Sequence, residues 1–403
     1  MVISLKYLLF TCRNIFSSTG EYSLIHRRAM ATFKVYKKKM DVIAFQTENR
    51  VSHYDEGLFN YECFNKKIFL NYKLGNIIKR FFSVKKELIN YLKDEKPTTI
   101  IVSGYFIGLF HNVLKRYIKR NKCKIIYDMH GCVEEAIEYV HPRIKVKFLS
   151  KIYYLFTKHQ EKKLLSISNG IFIVSHEMEK YVKIKYPNIA NKLQFYYVPC
   201  GIDSIFRSVD ERLNSRIKWR KKLSLNNDET VFVYSGGMSK WQKINEIINL
   251  YNKLSKDIPN SRLCIFTGEV EKVNNIVDPL YKDKYIIKSL KSKDVINALT
   301  ACDFGIILRD DNLTNNVAFP NKVSEYIEAG LNIIISESLR TPKEIVTKYN
   351  LGIGIKNDLN IDNLQRMIKC RKDSLVYIYE LCNEVVEQEL KYEKLICKRN
   401  IFN

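Results

Sequence analysis

The sequence predicts an α/β protein built as two Rossmann-like domains facing a cleft. Three observations point there. Short apolar runs alternate with amphipathic helical stretches along the whole chain, the pattern of parallel sheets covered on both faces. The 403 residues, 46% of them hydrophobic, are enough for two separately cored domains. A polar, charged stretch at 208–228 separates the runs into two sets.

In the first set, residues 5–10, 42–45, 99–102, 124–127, 171–174 and 196–198 read as strands, with helices between most of them. The apolar start, 1–10, is interrupted by Lys6 and lacks a small-residue cleavage site, so it reads as the first buried strand and not as a signal peptide. In the second set the strands are 230–234, 262–266, 285–288, 304–308, 332–335 and 352–355. The helix after the first of these carries Ile244, Ile247, Ile248, Tyr251 and Leu254 on one face. Residues 374–398 read as a long charged helix whose apolar side is Val376, Ile378, Tyr379, Cys382 and Val386. The expected organisation is a first domain at 1–203, a linker at 204–228, a second domain at 229–373 and a C-terminal helix at 374–403.

Ten scattered cysteines, with no CxxC and no zinc-like spacing, suit small hydrophobes in a reducing cytoplasm. No run of apolar residues is long enough to cross a membrane. The net charge is +24, and residues 1–200 carry +19 of it, together with all seven histidines. Such asymmetry favours an anionic partner: a membrane surface, a lipid diphosphate or nucleic acid. The alternative is a lysine-rich composition decorating solvent faces. No RNA- or DNA-reading motif accompanies the charge, which argues against nucleic acid.

The densest information lies in 302–336, CDFGIILRDDNLTNNVAFPNKVSEYIEAGLNIIIS. An apolar strand ends in Arg309 and an Asp/Asn-rich loop. Phe319, Pro320 and Lys322 then open a helix carrying Glu325, which stops at Gly330 before a second strand. Proline suits the first helical turn and glycine its end. A guanidinium, an ammonium and a helix N-terminus thus meet at the C-terminal edge of a parallel sheet, where open α/β folds bind ligands and where a diphosphate fits. Upstream, Val233-Tyr234-Ser235-Gly236-Gly237 with Trp241-Gln242 forms a strand–turn–helix whose glycines let the backbone approach a phosphate.

Together these motifs resemble the donor-sugar site of the GT-B glycosyltransferases of the "group 1" type found in bacterial surface-polysaccharide synthesis. The resemblance spans most of 229–356 and implies two Rossmann-like domains with the C-terminal helix crossing back to the first. It implies a donor site of Gly236, Gly237, Lys240, Arg309, Asn316, Phe319, Pro320, Lys322 and Glu325, with Ser289 and Leu290 against the nucleotide base. Glu325 is similar to the family glutamate that accepts bonds from ribose hydroxyls. Two departures stand out. Gly237 and Gln242 occupy positions where many relatives carry Arg and Lys, with Lys240 and Lys243 nearby. Val317 stands where the family motif's first glutamate contacts the sugar, eight residues before Glu325, and Asn315 or Asn316 would substitute for it.

On the other domain, Asp128-Met129-His130-Gly131 closes a strand. His130 resembles the family histidine beside the transferred sugar, although a lone histidine is commonly structural. Glu134 and Glu135 are candidates for a general base or for a solvated helix start. The loop from Arg13 to Gly20 resembles the glycine-bearing loop on the acceptor side. Asp310 and Asp311 are adjacent and not spaced for metal binding, so no metal and no cofactor is expected.

Residues 143–165 mix seven Lys/Arg with two aromatic-rich apolar clusters, fitting either a helix lying on an anionic bilayer or an ordinary domain helix. The expected function is transfer of a sugar from a UDP- or GDP-linked donor to a lipid-linked glycan acceptor. The reaction would retain anomeric configuration and need no metal, at the inner face of the cytoplasmic membrane. The alternatives are a nucleotide-sugar epimerase and a catalytically silent protein binding nucleotide or membrane.

Overall fold

The structure, a computed structural model, describes residues 5–13, 20–47, 62–72, 77–139, 147–202, 207–356 and 359–397. The chain divides into two compact units, Met1–Pro199 with Tyr392–Asn403, and Cys200–Lys391.

The first unit holds a seven-stranded parallel sheet of β1 (Tyr7–Thr11), β2 (Met40–Thr47), β3 (Phe64–Tyr72), β4 (Thr99–Ser103), β5 (Lys124–Asp128), β6 (Gly170–Ile173) and β7 (Gln194–Tyr197). Its order is β3-β2-β1-β4-β5-β6-β7. The central β1 and β4 are buried throughout, as expected for strands covered on both faces. Strand β3 is absent from the sequence reading. It lies at the sheet edge, and Asn65, Lys66 and Lys67 face solvent, so its composition is that of a protected edge and not of a core strand.

The second unit holds β8 (Thr230–Ser235), β9 (Ser261–Phe266), β10 (Tyr285–Lys288), β11 (Phe304–Ile307), β12 (Asn332–Ser336) and β13 (Gly352–Ile355). They are parallel in the order β10-β9-β8-β11-β12-β13. Ile244, Ile247, Ile248, Tyr251 and Leu254 are all buried on the helix Ile244–Asp257, as their spacing predicts. In each unit the strand order reverses once, between β1 and β4 and between β8 and β11. The C-terminal ends of those pairs are where doubly wound folds place ligands.

The stretch at 208–228 is not an open linker. Ser208 and Glu211 form a capping box that starts the helix Val209–Lys222, which belongs to the second unit. Arg212 and Arg220 are buried, Arg216 is half-buried, and all three are bonded. Arg212 donates to the Glu328 carbonyl (2.9 Å) and to Asn383 Oδ1 (2.7 Å). Arg216 donates to Asp303 (2.7 Å), and Arg220 to the Glu229 carbonyl (2.7 Å). Arg371 reaches the same Asp303 (2.9 Å) and the Gly330 carbonyl (2.8 Å). Burial opposes the charge on Asp303, but Arg216, Arg371 and Arg220 outweigh it and hold its pKa well below the usual carboxylate range.

The C-terminal helix is also interrupted. Leu375–Val385 passes into a π-helical turn, Val386–Leu390, and Lys391 then turns extended and bridges to Ile202. Only after that break does Tyr392–Cys397 return to the first unit, packing on the helix Gly20–Tyr36. Val376, expected on the apolar side, is exposed, whereas Ile378, Tyr379, Cys382 and Val386 are buried.

Candidate functional site

The second unit gathers its site at the ends of β8 and β11. After β8 the backbone turns at Gly236, whose φ of +144° lies outside the range that side-chain-bearing residues favour. The Gly236 N–H donates to the Phe266 carbonyl (2.9 Å) and the Ser235 N–H to the Tyr326 hydroxyl (3.1 Å). Tyr234 closes the turn by donating its hydroxyl to the Gly237 carbonyl. A Cβ on Gly236 would stand 2.7 Å from Lys322 Nζ and 2.8 Å from its Cε. The glycine therefore exists to let Lys322 lie across the turn.

Lys322 comes from the helix Asn321–Ala329, with Pro320 at its N-cap and Gly330 ending it at φ +83°. Pro320 thus stands one position before the first turn. The Lys322 ammonium lies 5.4 Å from the centre of the Tyr234 ring and donates to Gln242 Oε1 (3.0 Å). Arg309, at the end of β11, donates to the same oxygen (2.8 Å) and to the Leu308 carbonyl (2.7 Å). Its own N–H is fixed by Ser336 Oγ (2.9 Å). Burial first, and then the neighbouring Arg309 guanidinium, push the Lys322 ammonium down to about 7 against a raising pull from Glu325. Two cations held side by side at a helix N-terminus make a strong attraction for an anion.

The other expected donor residues divide. Glu325 and Asn321 follow on the same helix and are half-buried, and Phe319 is packed inside. Lys240 is exposed on the short turn Lys240–Gln242. Lys243 is committed to Asp310 (2.6 Å) and Glu246 (3.4 Å). Val317 is buried and presents nothing polar, and Asn315 spends its amide on the Asp310 carbonyl (2.9 Å). Asn316 has a buried Oδ1 with no hydrogen-bond partner. Ser289 and Leu290 directly follow β10, Ser289 exposed and Leu290 half-buried.

In the first unit, Asp128 ends β5 buried. It accepts from Arg28, and His130 Nε2 lies 2.8 Å from its Oδ2. Arg28 also donates to the Val198 carbonyl (2.5 Å). Burial lowers the His130 pKa, and Arg13 and Arg28 add to the effect against the raising pull of Asp128. The imidazole is therefore mainly neutral at pH 7, with Nε2 facing the carboxylate. Arg28 escaped the sequence reading, because an arginine inside an amphipathic helix shows no sign of its distant carboxylate. Arg13 lies 5.8 Å from the Tyr105 ring, and Gly20 is the first residue of the helix Gly20–Tyr36. Residues 14–19 of that loop lie outside the described residues.

Glu134 is not placed as a general base. It accepts from Lys185 (2.7 Å), Tyr181 (2.7 Å) and Tyr154 (3.1 Å). Burial favours its neutral form, but Lys185 and Tyr181 prevail and lower its pKa. Glu135 is exposed at the start of the four-residue helix Glu135–Glu138. Behind Glu134, Glu161 is fully buried, accepts from Tyr186 (2.9 Å), and is pushed up to about 7 by burial against the pull of Lys185.

The fold is shared with sugar-handling enzymes. WaaG, a glycosyltransferase involved in lipopolysaccharide biosynthesis, matches with TM-score 0.68 at 13% identity, over 99% of each chain. Sucrose-phosphate synthase from Thermosynechococcus elongatus matches with TM-score 0.67 at 13% identity, over 98% of this chain and 97% of that one. UDP-GlcNAc 2-epimerase from Neisseria meningitidis matches with TM-score 0.56 at 11% identity, over 99% and 100%. No curated protein matches the chain in sequence. Two parallel α/β sheets in this arrangement along the chain define a GT-B protein. Residues 215–374, most of the second unit, match the family described as glycosyl transferases group 1. The second unit is thus similar to the group 1 glycosyl transferases.

Proposed function

We propose that this enzyme transfers a sugar from a UDP- or GDP-linked donor to a lipid-linked glycan acceptor, working at the cytoplasmic face of the membrane. The observation that carries the donor half is the pairing of Arg309 and Lys322 on one neutral oxygen at a helix N-terminus. As the anomeric C–O bond breaks, charge accumulates on the departing nucleoside diphosphate, and these two cations with the helix N-terminus stabilise it. The reaction would need no metal and retain the anomeric configuration. Glu325 would accept from the ribose diol, and Ser289 and Leu290 would border the base. The buried, unpartnered Asn316 Oδ1 would accept from a sugar hydroxyl in the role that Val317 cannot fill. His130 would offer a ring nitrogen to the transferred sugar.

The acceptor half is supported by the helix Lys147–Ile167. Its buried side includes Ser150, Thr157, Gln160 and Glu161, whereas Phe148 (68% exposed), Leu149, Ile152, Leu155 (54%) and Phe156 project outward. Phe106 and Leu109 of the adjoining turn Tyr105–Phe110 are exposed beside them, with the Phe106 and Phe156 rings 6.0 Å apart. A lysine-bearing apolar face of this kind suits an anionic bilayer. No helix among the described residues is long and apolar enough to cross a membrane.

The test is thermal stabilisation by UDP, GDP, ADP and CMP of the protein and of Glu325→Ala, with co-sedimentation on vesicles containing anionic or only zwitterionic lipid. One nucleotide should stabilise the protein, and the variant should lose the effect. Absence of any shift at millimolar nucleotide would sink the donor assignment. Equal binding to both vesicle types, or to neither, would sink the membrane reading.

A further inference from the structure

The side chain that holds the two site cations together is a neutral amide. Gln242 Oε1 accepts from Arg309 Nη2 (2.8 Å) and from Lys322 Nζ (3.0 Å), so one carbonyl oxygen sits between two positive charges. That is the geometry a bridging phosphate oxygen adopts between a guanidinium and an ammonium. The nearby Lys243 is already neutralised by Asp310 and Glu246.

We propose that Gln242 is an internal competitor for the donor: its amide oxygen occupies the phosphate position between Arg309 and Lys322, and a nucleoside diphosphate binds by displacing it. The proposal rests on the reading of Arg309 and Lys322 as donor phosphate ligands.

Three features suit Gln242 to this exchange. A neutral oxygen satisfies both donors yet yields to an anion, because an anionic oxygen adds a Coulomb attraction to both cations that an amide dipole lacks. Gln242 is half-buried at the end of a single 3₁₀ turn, Lys240–Gln242, so its side chain can leave by rotation without moving a strand. Lys243, directly after it, is in the left-handed region at φ +52°, which fixes the turn against the helix that follows. Exchange of the amide for a phosphate also gives Lys322, whose ammonium burial and Arg309 disfavour, the counter-charge it lacks.

The amide therefore sets a threshold. It keeps two like charges from repelling each other and from collapsing onto a stray carboxylate, and it weakens every phosphate ligand by the strength of the two bonds that must be broken. Monophosphates and free phosphate, with less charge to offer than a diphosphate, are penalised relatively more.

The experiment is calorimetric titration of UDP, GDP and inorganic pyrophosphate into the wild-type protein, Gln242→Ala, Gln242→Glu and Arg309→Ala. Removing the competitor should tighten nucleoside diphosphate binding about threefold or more in Gln242→Ala. A carboxylate in its place should weaken binding about tenfold or more in Gln242→Glu and raise the melting temperature of the protein without ligand. Binding that is weaker or unchanged in Gln242→Ala overturns the proposal, because it would make Gln242 a direct ligand or a bystander, while loss of binding in Arg309→Ala keeps the site assignment. Wild-type affinity in Arg309→Ala, or no binding by the wild-type protein, overturns the site assignment and the proposal with it.

Discussion

Two adjacent glycines, Gly236 and Gly237, offer a sharp contrast. In Gly236→Ala the new methyl meets two difficulties. The backbone at φ +144° is unfavourable for any side chain, a strain of about 1–3 kcal/mol. The methyl also lies 2.7 Å from Lys322 Nζ, so the flexible ammonium must withdraw from Gln242 and from its place beside Arg309. Loss of one charge-assisted contact costs a bound diphosphate about 1.5–3 kcal/mol, which corresponds to roughly a ten- to hundredfold rise in Kd. In Gly237→Ala the methyl meets only Glu269 Oε2 at 3.5 Å, an ordinary contact, and no positive φ is involved. That variant should keep both stability and affinity. Urea unfolding and calorimetric titration with UDP and GDP read the two quantities separately. If Gly236→Ala lost stability but bound nucleotide as the wild type does, the link from the glycine to the position of Lys322 would be wrong. If both alanine variants lost affinity equally, the turn itself and not the lysine would be responsible.

Nucleotide affinity should fall as pH rises above about 7. Lys322, faced by Arg309, Glu325 and the Tyr234 ring, is then deprotonated in the free enzyme and must take up a proton on binding an anion, at most about tenfold per pH unit for one site; Lys322→Met should flatten the slope. Glu161, pushed by burial from the usual glutamate range up to about 7, binds more protons in the folded than the unfolded chain between those values, so it makes stability decline as pH rises through that window. Glu161→Gln should remove that decline, as read by melting temperature from pH 4 to 8; an unchanged profile would refute it. Arg212→Met should lower stability by about 2–4 kcal/mol, because the Glu328 and Tyr379 carbonyls and Asn383 Oδ1 lose a buried partner; a loss below 1 kcal/mol in urea unfolding would contradict it.

Core strands were legible because they announce themselves by composition. Ile100–Val102 and Ile333–Ile335 are unbroken β-branched runs, and burial on both faces demands nothing else. Strand β3 was not, because an edge strand carries Lys66 and Lys67 to protect itself, and those residues read as loop. The helix Val209–Lys222 was hidden for a different reason. Its arginines look solvated in sequence, and only the fold shows that distant carbonyls and Asp303 consume their donors. That Arg309 and Lys322 come close together could be read from their places around a strand end and a helix start. That Gln242 joins them could not, because a hydrogen bond between residues 80 positions apart leaves no local trace.

The helix Asn321–Ala329 is gripped at its C-terminal end. Arg212 and Arg371 grip the carbonyls of Glu328 and Gly330, so the negative pole of its peptide dipoles is cancelled by fixed cations. The opposite pole, about 13 Å away for nine residues, is left to act on whatever approaches Lys322. If Lys322 holds the donor phosphate as proposed, the pull on it is partly set from the other end of the helix, by two guanidinium groups on the Glu328 and Gly330 carbonyls. Retuning either arginine would change how firmly the enzyme holds its donor while every contact in the pocket stayed as it was.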